Sequence, residues 1–144
     1  MLRVISILGL VMMIGALVGL YKIGVLFTAH PIAIVLQLMA VALMIWARVT
    51  FGRRSFHAAA NPTAGGLVTT GPYRFIRHPI YTAASLFGWG PIVVHWSLVS
   101  FALGILLLLG ALMRMFCEEH LLKQKYPEYI EYANVTKRML PYLF

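Results

Sequence analysis

The sequence predicts an all-α integral membrane protein with about four transmembrane helices and a C-terminal amphipathic helix, the last two spans forming a hairpin. Three observations carry this prediction. Hydrophobic residues make up 61% of the 144 positions and charged residues only 11%, far from the balance of a soluble domain. Four apolar runs are separated by polar or turn-forming segments, the last two runs by only His95-Trp96-Ser97. Beyond the fourth run, apolar residues recur at helical spacing among charges. The length fits one domain, divided into two N-terminal spans (1–48), a loop (49–79), a helical hairpin (80–116) and a C-terminal helical segment (117–144).

Val4 to Phe27 has Lys22 as its one charge and is long enough to cross a hydrocarbon core of roughly 30 Å. Arg3 before an apolar run is also how a signal peptide begins, but no polar region with a small-residue cleavage site follows. Gly9, Gly15 and Gly19 permit close packing on another helix. His30-Pro31 suits a turn and helix start, because proline is tolerated in the first helical turn. Ile32 to Ala47 is the second span, with Trp46 and Arg48 where a membrane interface places an aromatic and a cation. Its polar residue, Gln37, is expected to bond a neighbouring helix. From Val49 to Thr70 the periodicity stops, and Gly52, Asn61, Pro62, Gly65 and Gly66 punctuate a loop carrying Arg53, Arg54 and His57.

Ile80 to Val94 follows Pro79 and contains Pro91. It reaches only about 22 Å, so it needs the preceding residues, tilt or local thinning to cross. Leu98 to Met113 is the fourth span, and His95 at the intervening turn reads as interfacial. In the tail, Leu121, Leu122, Tyr126, Tyr129, Ile130 and Ala133 alternate with Lys123, Lys125, Glu128 and Glu131 as in an amphipathic helix. Pro127 is expected to divide it, with Glu128 in the first turn of the new helix.

Twelve Lys and Arg against four acids give a net charge of +8. In a chain this apolar the excess points to cytoplasmic loops and anionic lipid head groups, not nucleic acid. With Arg3 cytoplasmic, four crossings put every Lys and Arg except Lys22 on that side, together with both termini. The one cysteine, Cys117, excludes an internal disulfide. No dinucleotide fingerprint, P-loop or zinc spacing occurs, and the five His are dispersed, so no metal site is expected.

Polar residues concentrate in Leu67 to Tyr81, LVTTGPYRFIRHPIY. The hairpin returns Glu118 and Glu119 to the membrane face where Arg77 and His78 begin the third span, so all four can line one pocket. A plainer reading has Arg74 and Arg77 anchored to lipid phosphates and Glu118 in a surface pair with Arg114. Ionisable groups at the edge of hydrocarbon are costly, which favours a functional role for Arg77, His78 and Glu119. Tyr73 and Tyr81 flank this group, and Gly71-Pro72 suits a bend that brings backbone close to a ligand.

Gly71-Pro72-Tyr73, Arg77-His78-Pro79 and Tyr81, followed by Arg114, Glu118-Glu119, Leu122, Tyr126-Pro-Glu-Tyr129, Tyr132 and Leu140-Pro141, resemble the two-part signature of a known superfamily. It is that of the isoprenylcysteine carboxyl methyltransferases and phospholipid methyltransferases, membrane enzymes that use S-adenosylmethionine. The resemblance covers Leu67 to the C-terminus. It implies that His78, Pro79, Tyr81 and Glu119 contact S-adenosylmethionine, with Gly71, Tyr73 and backbone at Leu67 and Val68 closing over its adenosine. Arg77 and Glu118 would lie nearest the reacting groups. The implied acceptor is lipophilic, entering from the bilayer: a prenylcysteine carboxylate, a phospholipid amine, or a small hydrophobic thiol or amine. A carboxylate needs orientation by Arg77 but no base, whereas an ammonium must first lose a proton, giving Glu118 a general-base role. The chain lacks the extra N-terminal spans of eukaryotic prenylcysteine enzymes, and Tyr126-Pro127 stands where a Gly often occurs, so a small prokaryotic cell-membrane enzyme is expected. The alternatives are an NADPH-dependent reductase of sterol-reductase-like architecture and a non-enzymatic membrane subunit. Homo-oligomerisation stays open.

Overall fold

The first helix forms because nothing interrupts its apolar run before Lys22. α1 spans Leu2–Lys22, and Gly24, at φ +73°, turns the chain while the Val25 and Leu26 amides bond back to the Leu20 carbonyl. The span therefore stops short of the expected Phe27. In this computed structural model residues 1–52, 66–142 and 144 are described. α2, Pro31–Phe51, begins with Pro31 and is capped by the His30 ring, which accepts from the Ile32 amide at 3.3 Å. It ends at Gly52, φ +70°, one turn beyond the expected Ala47. Arg53, Arg54, His57, Asn61, Pro62 and Gly65, expected in a loop, lie outside the described residues.

A short 3-10 turn, Gly71–Arg74, leads into α3, Pro79–Val94. α3 starts on proline and carries Pro91 without breaking. After the tight turn, Ser97 and Ser100 close a reciprocal capping box that starts α4, Leu98–Lys125. α4 is much longer than the expected Leu98–Met113. No proline or glycine follows Gly110 until Pro127, so Arg114, Cys117 and both glutamates continue the span rather than opening a tail. The break at Tyr126-Pro127 comes where expected, but Glu128 takes the N-cap position of α5, Tyr129–Val135, and Glu131 is the acid in its first turn.

The described residues are helical, with one isolated parallel bridge between Ile76 and Lys137 and no strand. α1, α2 and α4 are long and apolar enough to cross a membrane; α3, at 16 residues, is shorter. α1 packs along α4, α2 along α3, and α3 meets α4, which gives the lateral order α1, α4, α3, α2. Close approach at the first seam comes from paired glycines: a Cβ on Gly9 would lie 2.7 Å from the Gly110 carbonyl oxygen, and one on Gly110 2.6 Å from that of Gly9. Gly19 also faces α4, but Gly15 faces open space and takes no part in the packing.

One buried cluster joins Met13, Ala16, Tyr81, Leu107, Ala111, Met115 and Met139; a second, of Leu20, Leu26 and Ile92, fills the opposite end. Gln37 bonds across helices as expected, its Nε2 donating to the Leu26 carbonyl at 2.7 Å and the Phe87 carbonyl at 3.4 Å. His95 at the turn meets the Thr28 hydroxyl at 2.5 Å. Val4, Leu8, Val11 and Val18 on α1, and Val35, Leu38 and Ile45 on α2, are exposed, which suits faces that meet lipid.

Candidate active site

The site forms where the C-terminal half of α4 passes the start of α3. Residues 75–78 run alongside residues 136–139, a strap that follows α5: the Arg77 amide donates to the Lys137 carbonyl at 2.7 Å and the His78 amide to the Arg138 carbonyl at 2.9 Å. The Thr82 hydroxyl adds a bond to the Met139 carbonyl at 2.8 Å. These contacts fix the polar stretch 75–78 in place at the mouth of the helix row.

Two neighbouring carboxylates then meet different surroundings, because successive helical residues point about 100° apart. Glu119 is buried, its side chain 4% exposed, and both of its oxygens are taken. Oε1 accepts from Arg77 Nε at 3.1 Å and meets His78 Nε2 at 3.3 Å; Oε2 accepts from Arg138 Nε at 3.2 Å. Arg77 also donates through Nη1 to the Ala133 carbonyl at 2.9 Å and to the Thr136 carbonyl, so its guanidinium caps the C-terminal end of α5. Arg77, Glu119 and Arg138 thus form a knot that ties the α3 entry, α4 and the strap together.

Glu118 faces the other way, into a cavity of about 310 Å³. Its side chain is 28% exposed. The Tyr81 hydroxyl donates to Glu118 Oε1, and Arg114 Nε donates to the Tyr81 oxygen at 3.0 Å. Arg114 Nη2 lies 3.8 Å from Glu118 Oε1, and His78 Nδ1 3.8 Å from Oε2. Arg114 also reaches the Ser6 carbonyl on α1 at 3.2 Å. The expected surface pair of Glu118 and Arg114 is therefore a buried arrangement, since Arg114 is 5% exposed.

Of the residues singled out in the sequence, Leu67, Val68, Tyr73, Arg77, His78, Pro79, Tyr81 and Glu118 line this cavity. Gly71 and Glu119 do not. Gly71, at φ +57°, lies against α2, where a Cβ would come within 2.5 Å of Thr50 Oγ1 and 3.2 Å of Trp46 Nε1. The bend thus seats the 3-10 turn on α2. The wall also contains Met44, Arg48 and Phe51 of α2, Leu10 and Met13 of α1, and Tyr126, Tyr129 and Tyr132. Arg48 and Phe51 were not signalled as site residues, and Trp46 and Arg48 carried only an interfacial pattern.

Five tyrosines share the polar part of the wall with Arg48, Arg77, His78, Arg114 and Glu118. Burial holds the Tyr73 and Tyr129 hydroxyls well above the usual phenol range, with the Glu118 charge adding to the effect at Tyr73 and the Glu119 charge at Tyr129. Burial also pushes Tyr132 up to about 12, against the opposing pull of Arg77. All three are neutral at pH 7 and offer hydroxyl groups and π faces. Tyr132 donates to the Tyr73 carbonyl at 2.6 Å. The Tyr129 hydroxyl is buried without a hydrogen-bond partner among the described residues, although the Arg77 guanidinium is near enough to act on it electrostatically. Among the described residues, no group of three or more His, Cys, Asp or Glu side chains converges on a metal-sized site.

Comparison with known proteins agrees with the motif. A stretch of 80 residues, 54% of this chain, is 38% identical to the nickel-cobalt-cadmium resistance protein NccN of Alcaligenes xylosoxydans xylosoxydans. That stretch covers 37% of the relative's length. No solved structure matches the chain. The profile of the phospholipid methyltransferase family matches residues 28–129, from the α1–α2 turn through both carboxylates to the start of α5. The chain belongs to the phospholipid methyltransferase family, within the isoprenylcysteine and phospholipid methyltransferase superfamily.

Proposed function

We propose that this membrane methyltransferase-family protein transfers a methyl group from S-adenosylmethionine to a lipophilic acceptor that reaches the cavity from the bilayer. The observation that carries the reading is Glu118, a partly exposed carboxylate held by Tyr81 and Arg114 in a cavity whose wall combines aromatic and apolar side chains with Arg48, Arg77 and His78. At about 310 Å³ the cavity falls in the range of small-molecule sites, roughly 300–1,000 Å³. Its tyrosine faces suit a purine and a cation, and the buried Tyr129 hydroxyl, without a hydrogen-bond partner among the described residues, is a polar group that a ligand can reach. When bound, S-adenosylmethionine supplies a methyl group on a sulfonium, open to in-line attack. Tyr73, His78, Pro79, Tyr81 and the backbone at Leu67 and Val68 are the residues to hold it.

The chain's own groups then have separable tasks. Arg114 donates to the Tyr81 oxygen and Tyr81 to Glu118, a relay that fixes the carboxylate in one orientation. For an amine acceptor, Glu118 takes the proton at Oε2, the oxygen turned towards His78. For an ionised carboxylate or thiolate no base is needed, and the walls contribute by positioning and by excluding water. The family's description favours a phospholipid amine among these acceptors. Arg77, Glu119 and Gly71 act through position in this reading: the first two lock the α3 entry to α4, and Gly71 seats the turn on α2. The positive-inside bias of the sequence supports a cavity at the cytoplasmic face, with α3 as a short fourth crossing in this reading.

Calorimetric titration of detergent-purified protein with S-adenosylhomocysteine tests the reading. The wild type is expected to bind, and His78→Ala and Tyr81→Phe to weaken binding by about tenfold, the loss associated with one hydrogen bond. No binding by folded wild-type protein would overturn the cofactor assignment. Neither the reductase nor the non-enzymatic reading draws support from the family match.

A further inference from the structure

On the far side of the Arg77–Glu119 pair lies a second, more open crevice of about 360 Å³, lined among others by Lys123, Lys137, Arg138 and Glu119. We infer that this crevice is a binding site for a phosphate group, separate from the methyl-transfer cavity. Charge, the availability of its donors and depth relative to the membrane all favour a phosphate there. Four cationic side chains line the crevice, Arg77 being the fourth, against one side-chain carboxylate. That carboxylate, Glu119, already has both oxygens occupied by Arg77, His78 and Arg138, so it competes weakly for further cations.

The Lys123 and Lys137 ammonium groups have no ion pair or hydrogen bond among the described residues. Arg138 uses Nε on Glu119 and lays its guanidinium over the Phe116 and Phe144 rings, 5.6 Å and 5.3 Å from their centroids, while its Nη groups make no hydrogen bond among those residues. The Phe144 carbonyl oxygen is turned onto the Met139 and Leu140 amides at 2.7 Å, satisfied within the strap. Two ammonium groups on separate elements, the end of α4 and the strap, therefore line one crevice with a guanidinium, and together they offer donors of the kind that bind phosphate oxygens.

Depth narrows the source. Lys123 lies in the last turn of α4, past the apolar part of the span, at the level where lipid head groups meet a membrane protein. An anionic phospholipid and a soluble phosphate share the chemistry and differ in the attached tail.

The test measures binding and not methyl transfer, so it stands apart from the cofactor assignment. Detergent-purified full-length protein is titrated by fluorescence or thermophoresis with dihexanoyl-phosphatidylglycerol, dihexanoyl-phosphatidylcholine and inorganic phosphate. Phosphatidylglycerol is expected to bind more tightly than phosphatidylcholine, and the Lys123→Gln/Lys137→Gln double variant to weaken it by about ten- to thirtyfold, as follows for two cations near a surface. Arg74→Gln, an exposed cation outside the crevice, is expected to leave it unchanged. Competition by inorganic phosphate at matching concentration assigns the site to a soluble ion, and its failure to compete assigns it to the lipid head group; either result supports a phosphate site. Equal binding by wild type and double variant, or an equal loss in Arg74→Gln, overturns it by showing only diffuse surface attraction. Both lysines are exposed, and an unchanged melting temperature shows that the double variant is folded.

Discussion

Glu118 and Glu119 differ by one position in the chain and by an entire environment, with side chains 28% and 4% exposed. Removing the Glu119 charge leaves Arg77, His78 and Arg138 around a neutral amide, and breaking such a buried set costs about 3 kcal/mol. Glu119→Gln is therefore expected to melt well below wild type in detergent, followed by circular dichroism. Glu118→Gln is expected to shift the melting temperature little, because its partners stay hydrogen-bonded to each other and the site is partly wet. Equal destabilisation by the two would contradict this division. That Arg77 and His78 come together with the acidic pair was legible in the sequence, since a short turn forces the hairpin to return. Which glutamate faces the cavity was not legible, because that depends on the rotation of α4 about its axis. Arg48 and Phe51 carry no sequence signal for a related reason: no local pattern marks the face of α2 that a later loop and helix will cover.

The helices themselves were readable where a breaker or its absence decides the outcome. Hydropathy located each apolar run, and His30-Pro31 and Pro127 marked real boundaries. The misplaced ends have simple causes: Gly24 turns the chain before the apolar residues run out, and α4 carries its charges onward as helix because nothing stops it. Glycine spacing was a weaker guide, since Gly9 and Gly15 look alike in sequence and only Gly9 meets another helix. A side chain at Gly9 would strike the Gly110 backbone, which cannot move as a flexible side chain can. Gly9→Val is thus expected to separate α1 from α4 and destabilise the protein by about 1–3 kcal/mol or more, whereas Gly15→Ala gains helix propensity and costs nothing. Paired thermal melts of the two variants check this.

For the molecule as a whole, the helix row α1, α4, α3, α2 gathers Arg48, Arg77 and Arg114 at the cavity end and leaves Lys22 at the other, so charge and site share one pole. The apolar composition made a membrane protein plain from the start. The strap was invisible, because residues 136–139 have no strand-like alternation and their pairing with 75–78 joins distant parts of the chain. Hydrogen exchange should show it: the Arg77 and His78 amides are expected to be protected in the intact protein and to exchange fast once residues 136–144 are deleted, while protection in α1 and in the half of α4 packed on it persists. Loss of protection throughout would mean that the strap supports the entire helix row and not the loop alone. The order of synthesis gives this pairing another meaning. The stretch that leads into α3 is translated long before the strap that holds it, so a ribosome-bound chain carries its helices into the bilayer with the site edge still unpaired. That edge becomes fixed only once residues 136–139 have been made, and a chain truncated upstream of residue 136 would keep its membrane helices but lack the pairing that holds residues 75–78.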